Sequence, residues 1–133
     1  MAAVMAERSR DWMTQALADL RHARHAREDG DFDWAAFASH QAAEKAIKAV
    51  FQVLHLDAWG HTLSQLLAAL PEPQRPGVAL VDQAKELDKH YIPTRYPNGF
   101  ERGAPTELYT AREADQAIAN AEAILEYCRR QVR

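Results

Sequence analysis

Three features of this sequence predict an all-α fold, a helical bundle. Apolar residues recur every three or four positions through most of the chain, two Thr-x-x-Gln/Glu patterns mark helix starts, and no segment alternates like a half-buried strand. The first helix is predicted from Asp11 to about Glu28, with Trp12, Met13, Ala16, Leu17, Leu20, Ala23 and Arg27 on one stripe and Asp19, Arg21, His22 and His25 turned outward. Gly30 stops it, and Asp31 to Asp33 supply caps for a second helix reaching about His55, whose small residues suit close packing on the first. Thr62 and Gln65 stand at capping-box spacing and open a short third helix carrying Leu63, Leu66, Leu67 and Leu70. Pro71, Pro73, Pro76 and Gly77 form a connector inside one domain spanning residues 1–133, because the apolar pattern resumes at Val78.

The fourth helix is predicted to end near Ile92, which places Leu80, Val81, Ala84, Leu87, Asp88 and Tyr91 on one face. Asn98 to Pro105 reads as an exposed, mobile loop. Thr110 and Glu113 form the second capping box, opening a last helix with Ala114, Ala117, Ile118, Ala121, Ile124, Leu125 and Cys128 in one stripe.

A formal charge of −3 over 133 residues argues against a protein that coats nucleic acid through bulk electrostatics and leaves only local contacts. The single cysteine, Cys128, has no internal partner and falls on an apolar stripe, so it is expected to be buried filler in a reducing compartment. The apolar run at the start is too short for a signal peptide, and no segment approaches the roughly 20 apolar residues of a membrane span. A soluble, cytoplasmic protein is expected.

Chemistry concentrates in two places. Asp88 sits inside an apolar stripe, where an unpaired carboxylate costs several kcal/mol, roughly, so it should meet a cation or several donors, with Arg95 and the lysines of helix two as candidates. Pro93 and Pro97 hold Arg95 and Tyr96 between rigid points. On helix two, His40, Gln41, Glu44, Lys45, Lys48 and Gln52 share one arc, with Trp34 and Phe37 at its start. That arc is either a solvated face with a Glu44–Lys48 pair or a face that abuts another helix or a second subunit. Ser39 and Ser64 have ordinary structural roles, the six histidines lack metal-ligand spacing, and phosphate-cradling glycines are absent. Any nucleotide is then held by side chains: Lys45, Lys48 and Arg95, with Tyr91 or Tyr96 stacking. His61 and His90 are the candidates for acid–base work.

His40-Gln41-Ala42-Ala43-Glu44-Lys45-Ala46-Ile47-Lys48-Ala49, Gly60-His61-Thr62-Leu63, Leu87-Asp88-Lys89-His90-Tyr91-Ile92-Pro93-Thr94-Arg95-Tyr96-Pro97 and Tyr109-Thr110 follow one another in an order that resembles a HEPN domain over nearly the whole chain. The resemblance implies an up-and-down bundle of four long helices plus a shorter one, a homodimer, and a neighbouring minimal nucleotidyltransferase in a toxin–antitoxin pair. RNA-cutting members carry an arginine followed, after four to six residues, by a histidine, and use both across the dimer without metal. Here the positions that follow Arg95 at that spacing are Phe100, Glu101 and Arg102, and no other arginine has a histidine in its window.

The expected function is therefore a module that binds a nucleotide, a phosphate-bearing ligand or a nucleotidyltransferase through Lys45, Lys48, Asp88, Tyr91, Arg95 and Tyr96, with no cofactor. The alternative is a metal-independent RNA-cleaving toxin using Arg95 with His90 or His61. A third arrangement has Asp88, Arg95 and Lys45 as a structural network pinning the proline loop to the bundle.

Overall fold

A computed structural model of the chain describes residues 7–132, and the short apolar run at the start lies outside them. Among the described residues the fold is wholly helical: α1 (Ser9–Glu28), α2 (Phe32–Val53), α3 (Leu63–Ala68), α4 (Val78–Asp88), α5 (Pro105–Leu108) and α6 (Ala111–Gln131). Short 3-10 turns lie at Glu72–Gln74 and Pro97–Gly99. Four long helices and the short α3 match the expected bundle, and α5 is an added turn between the expected loop and the last helix.

Helix α2 is the axis of the bundle, packed against α1 and α6 and touched by α3, α4 and α5. Ala35, Ala36, Ala42, Ala43, Ala46 and Ala49 have no exposed surface, which lets neighbouring backbones approach closely. Ile47, Val50, Leu63, Leu67, Leu87, Ile124 and Leu125 fill the space between them, and Cys128 is buried in the same core. Burial pushes the Cys128 thiol up to about 12.

The turn between α1 and α2 shows why Gly30 ends the first helix. Gly30 takes φ +84° and donates to Arg27 O at 3.1 Å, while Asp31 N donates to Ala26 O at 2.8 Å, the paired bonds of a Schellman ending. The end of α2 repeats this pattern with the wrong residue type. His55 N bonds to Gln52 O at 3.1 Å and Leu56 N to Phe51 O at 3.0 Å, forcing His55 to φ +56°. The expected caps of α2 are not formed: Asp31 stands at the N-cap position without a side-chain bond, and Asp33 Oδ1 is buried without a partner.

Two further expectations are corrected. Thr62 makes no capping bond; the first turn of α3 is closed instead by Asp88, which accepts from Leu63 N at 2.6 Å, Ser64 N at 3.2 Å and Ser64 Oγ at 2.7 Å. A charged acceptor in a partly buried place binds N–H groups more strongly than a threonine hydroxyl, so the acid wins the position. Helix α4 ends at Asp88, four residues before Ile92, where the backbone bonds tighten to three-residue turns from Lys89 N to Glu86 O, His90 N to Leu87 O and Tyr91 N to Asp88 O. The Thr110–Glu113 box forms as expected, with Glu113 N to Thr110 Oγ1 and Thr110 N to Glu113 Oε1 both at 3.1 Å.

His40 is the largest polar residue in the core, with 0% exposure. Its Nε2–H donates to His61 O at 3.0 Å, tying α2 to the loop before α3, and burial holds its pKa below the ordinary histidine value. His90, half-buried against Tyr109, is lowered for the same reason.

Three outcomes are expected. Replacing Asp88 with Ala should cost about 1–2 kcal/mol, read as a thermal midpoint lower by roughly 3–10 °C and faster amide exchange at Leu63 and Ser64. His55→Gly should stabilise by about 1 kcal/mol in denaturant titration, since glycine adopts a positive φ without the cost borne by histidine. Because the folded pKa values of His40 and His90 lie below the unfolded one, the unfolded chain takes up protons first. Stability should be full above about pH 6.5 and fall as pH drops below it, with a flatter profile in His40→Gln.

Candidate functional site

The site grows from one stripe of α2. Phe37, His40, Glu44 and Lys48 follow at helical spacing and face two irregular segments, the loop carrying His61 and the turns after α4 carrying Tyr91, Arg95 and Tyr96. Those turns are rigidly made. His90 N donates to Leu87 O at 2.9 Å, Thr94 Oγ1 to His90 O at 2.6 Å and Arg95 N to Ile92 O at 3.1 Å. Gly99 lies against Pro93, and a Cβ there would stand 3.2 Å from Pro93 Cα.

Tyr91 is the hub. Its ring stacks on His61 at 4.9 Å and 16°, meets His40 at 5.1 Å and Phe37 at 6.2 Å, and carries the Arg95 guanidinium at 4.6 Å. Arg95 also lies over Phe37 at 4.5 Å and Tyr96 at 5.2 Å. Its Nε and Nη2 donate to Tyr91 O at 2.9 and 2.7 Å. The charge is thus spread over three rings, and each such contact is worth about 0.5–2 kcal/mol, more where water is excluded. Trp34 meets Phe37 edge-on at 6.0 Å and extends the aromatic surface outward.

Behind Tyr91 lies a buried charge. The Glu44 carboxylate, 8% exposed, accepts from Lys48 Nζ at 3.0 Å and from His61 Nδ1 at 3.0 and 3.1 Å. The arc of α2 is therefore not a solvated face. The expected Glu44–Lys48 pair exists, but it is enclosed between helices and completed by His61. Lys45 is taken up by Asp19 of α1, so Asp19 turns inward and not outward.

The structure thus separates the residues grouped by sequence. Tyr91, Arg95 and Tyr96 come together; Asp88 lies beside Tyr91 but serves α3; Lys48 is engaged by Glu44, and Lys45 faces away on the α1 side. Asp88 meets donors, as one branch of the expectation required, but not Arg95 or a lysine, so the network of Asp88, Arg95 and Lys45 does not form. Of the two candidate histidines, His90 is spoken for: its Nδ1 shares a hydrogen bond of 2.8 Å with Tyr109 Oη, whose pKa burial raises. His61 keeps 53% of its side chain exposed. The Glu44–His61 link was missed because the two stand 17 residues apart across a loop, and no periodicity connects them.

Beside His61 opens a cavity of about 320 Å³ lined by Thr62, Asp88, Tyr91, Ile92 and Pro93. On the other side of Lys48 a recess of about 210 Å³ lies between Trp12, Phe51, Leu56 and Trp59, with Trp59 83% exposed. No described helix is long and apolar enough to cross a membrane.

The HEPN domain family model matches residues 9–131. Three solved structures share the fold over nearly their full length. TT1696 from Thermus thermophilus is 44% identical, with a TM-score of 0.92 over 95% of this chain and 99% of that one. ST0689, an archaeal HEPN homologue, is 39% identical with a TM-score of 0.82, covering 96% and 100% of the two chains. A HEPN domain protein from Thermotoga maritima, TM0613, is 38% identical with a TM-score of 0.74, covering 90% and 95%. No curated protein matches. With the family pattern spanning almost every described residue and the same bundle recurring in these homologues, the chain belongs to the HEPN domain family.

Proposed function

We propose that this HEPN chain is a binding and interaction module, organised around Tyr91, that works as a homodimer or beside a nucleotidyltransferase and accepts a nucleotide. The observation that carries the reading is the layer of Arg95 on Phe37, Tyr91 and Tyr96, with no carboxylate at ion-pair distance from the guanidinium among the described residues. Trp34, Ile92 and Tyr96 beside it are each about half exposed. A rigid surface of aromatics and arginine is the composition that dominates protein contacts, and it also stacks flat rings. Lys45 and Lys48 contribute charge to the fold and not to a ligand, because each is held by an acid. A toxin–antitoxin pairing with a minimal nucleotidyltransferase is the setting this reading fits.

The second reading is a metal-independent RNA-cleaving toxin. What favours it is His61, exposed and oriented by a buried carboxylate, the arrangement a proton-transfer group needs. His61, not His90, is then the imidazole, and Arg95 the cation.

Light scattering across a concentration series, repeated with Trp34→Ala and Tyr96→Ala, tests the interaction surface. Self-association, or binding to a co-expressed nucleotidyltransferase, should weaken about tenfold or more in the variants, with the thermal midpoint moved by only a few degrees, roughly. A chain that stays monomeric and ignores the nucleotidyltransferase, or associates equally well without these rings, would refute it. Incubation with RNA and separately with ATP distinguishes the readings. Saturable ATP binding without turnover is expected, whereas RNA cleavage lost in His61→Phe would establish the second.

A further inference from the structure

We propose that the cavity beside His61 receives the uncharged nucleoside end of a nucleotide, anchored by an N–H or O–H of the ligand donating to His61 Nε2, with the phosphate directed away from it. This rests on the nucleotide-binding reading above and gives it a polarity.

The argument begins with the hydrogen atoms of the imidazole. A carboxylate only accepts, so the contacts of His61 Nδ1 with both Glu44 oxygens place the ring proton on Nδ1. In its neutral form such a ring presents a lone pair at Nε2. Three contacts fix its direction: Glu44 behind the ring, Tyr91 parallel to its face, and the His40 bond to its backbone carbonyl. Lys48 in turn fixes Glu44. The acceptor is thus set in place before any ligand arrives, which spares the ordering cost of binding.

The walls narrow the chemistry further. Tyr91, Ile92 and Pro93 are largely apolar and suit a flat or aliphatic ring, while Thr62 brings a hydroxyl that caps nothing. Asp88 stands in the wall and Glu44 lies behind His61, so the surroundings hold acidic charge. Among the described residues no lysine or arginine lines the cavity: Lys48 is paired with Glu44, and the Arg95 guanidinium lies over Phe37, Tyr91 and Tyr96. A phosphate placed here would be desolvated next to like charge with no cation in the wall to meet it, a combination that costs several kcal/mol, roughly. A neutral ring with a donor meets none of that. The volume of about 320 Å³ agrees, since ligand pockets run from roughly 300 to 1,000 Å³ and this one is at the nucleoside-sized end.

Calorimetric titration of the full chain with adenosine, guanosine, cytidine and uridine, their 5′-monophosphates and inorganic phosphate tests the assignment, alongside His61→Phe. The phenyl ring keeps the stack on Tyr91 and removes the acceptor. At least one nucleoside should bind within about threefold of its monophosphate, inorganic phosphate should not bind, and His61→Phe should weaken the nucleoside about tenfold. Affinity that depends on the phosphate, or that ignores His61→Phe, overturns the polarity and leaves nucleotide binding standing. Absence of binding by every nucleoside and monophosphate overturns both. If His61→Phe lowers the thermal midpoint, the imidazole nitrogen resonances of the wild type decide: Nε2 should shift on adding the nucleoside, and an unmoved signal overturns the proposal.

Discussion

Helix α2 is buried on nearly every side and still carries Glu44, and that constraint arranges everything around it. A carboxylate moved out of water without partners is several kcal/mol less stable, roughly, so the fold has to deliver cations and donors to wherever the helix lies. Lys48 comes from the next turn of α2, and His61 from the loop before α3. Once His61 is drawn in, His40 ties its carbonyl and Tyr91 covers its ring. The loop that carries His61 is thus tied to the buried charge, while the turns after α4 are held by their own hydrogen bonds and packed on the His61 ring.

A similar logic separates the two carboxylates nearest the site. Asp88 spends its oxygens on the first turn of α3, where backbone N–H groups and a serine hydroxyl satisfy it. Glu44 spends its own on two side chains, one of which reaches the surface. The first arrangement locks helix to helix and leaves nothing for a ligand. The second transmits the order of the interior to an exposed ring. Arg95 follows a third course, stacked on aromatics and bonded to a carbonyl, so its position is set by shape more than by charge.

How much of this was legible in the sequence depended on whether a feature is local. The four long helices, the Gly30 stop and the Thr110–Glu113 box rest on spacing within a turn or two, and all were readable. The cap on α3 was misassigned because Thr62 and Gln65 have the right spacing, while the acid that displaces them is 25 residues from Leu63. The end of α4 lies four residues earlier than the apolar spacing indicates, because Lys89 to Tyr91 keep the helical stripe while bonding in three-residue turns. Within the site, the cluster of Tyr91, Arg95 and Tyr96 was visible from its prolines. The pairing of Lys45 with Asp19 and of Glu44 with His61 was not, since both depend on how helices are rotated against their neighbours.

The thiol of Cys128, this chain's only one, bears on durability. Packed into the core and held almost entirely as S–H at neutral pH, it offers oxidants and electrophiles no thiolate to attack. Shifts in cellular redox poise therefore have no cysteine handle on this bundle while it stays folded. Sulfhydryl reagents become, in effect, reporters of its opening.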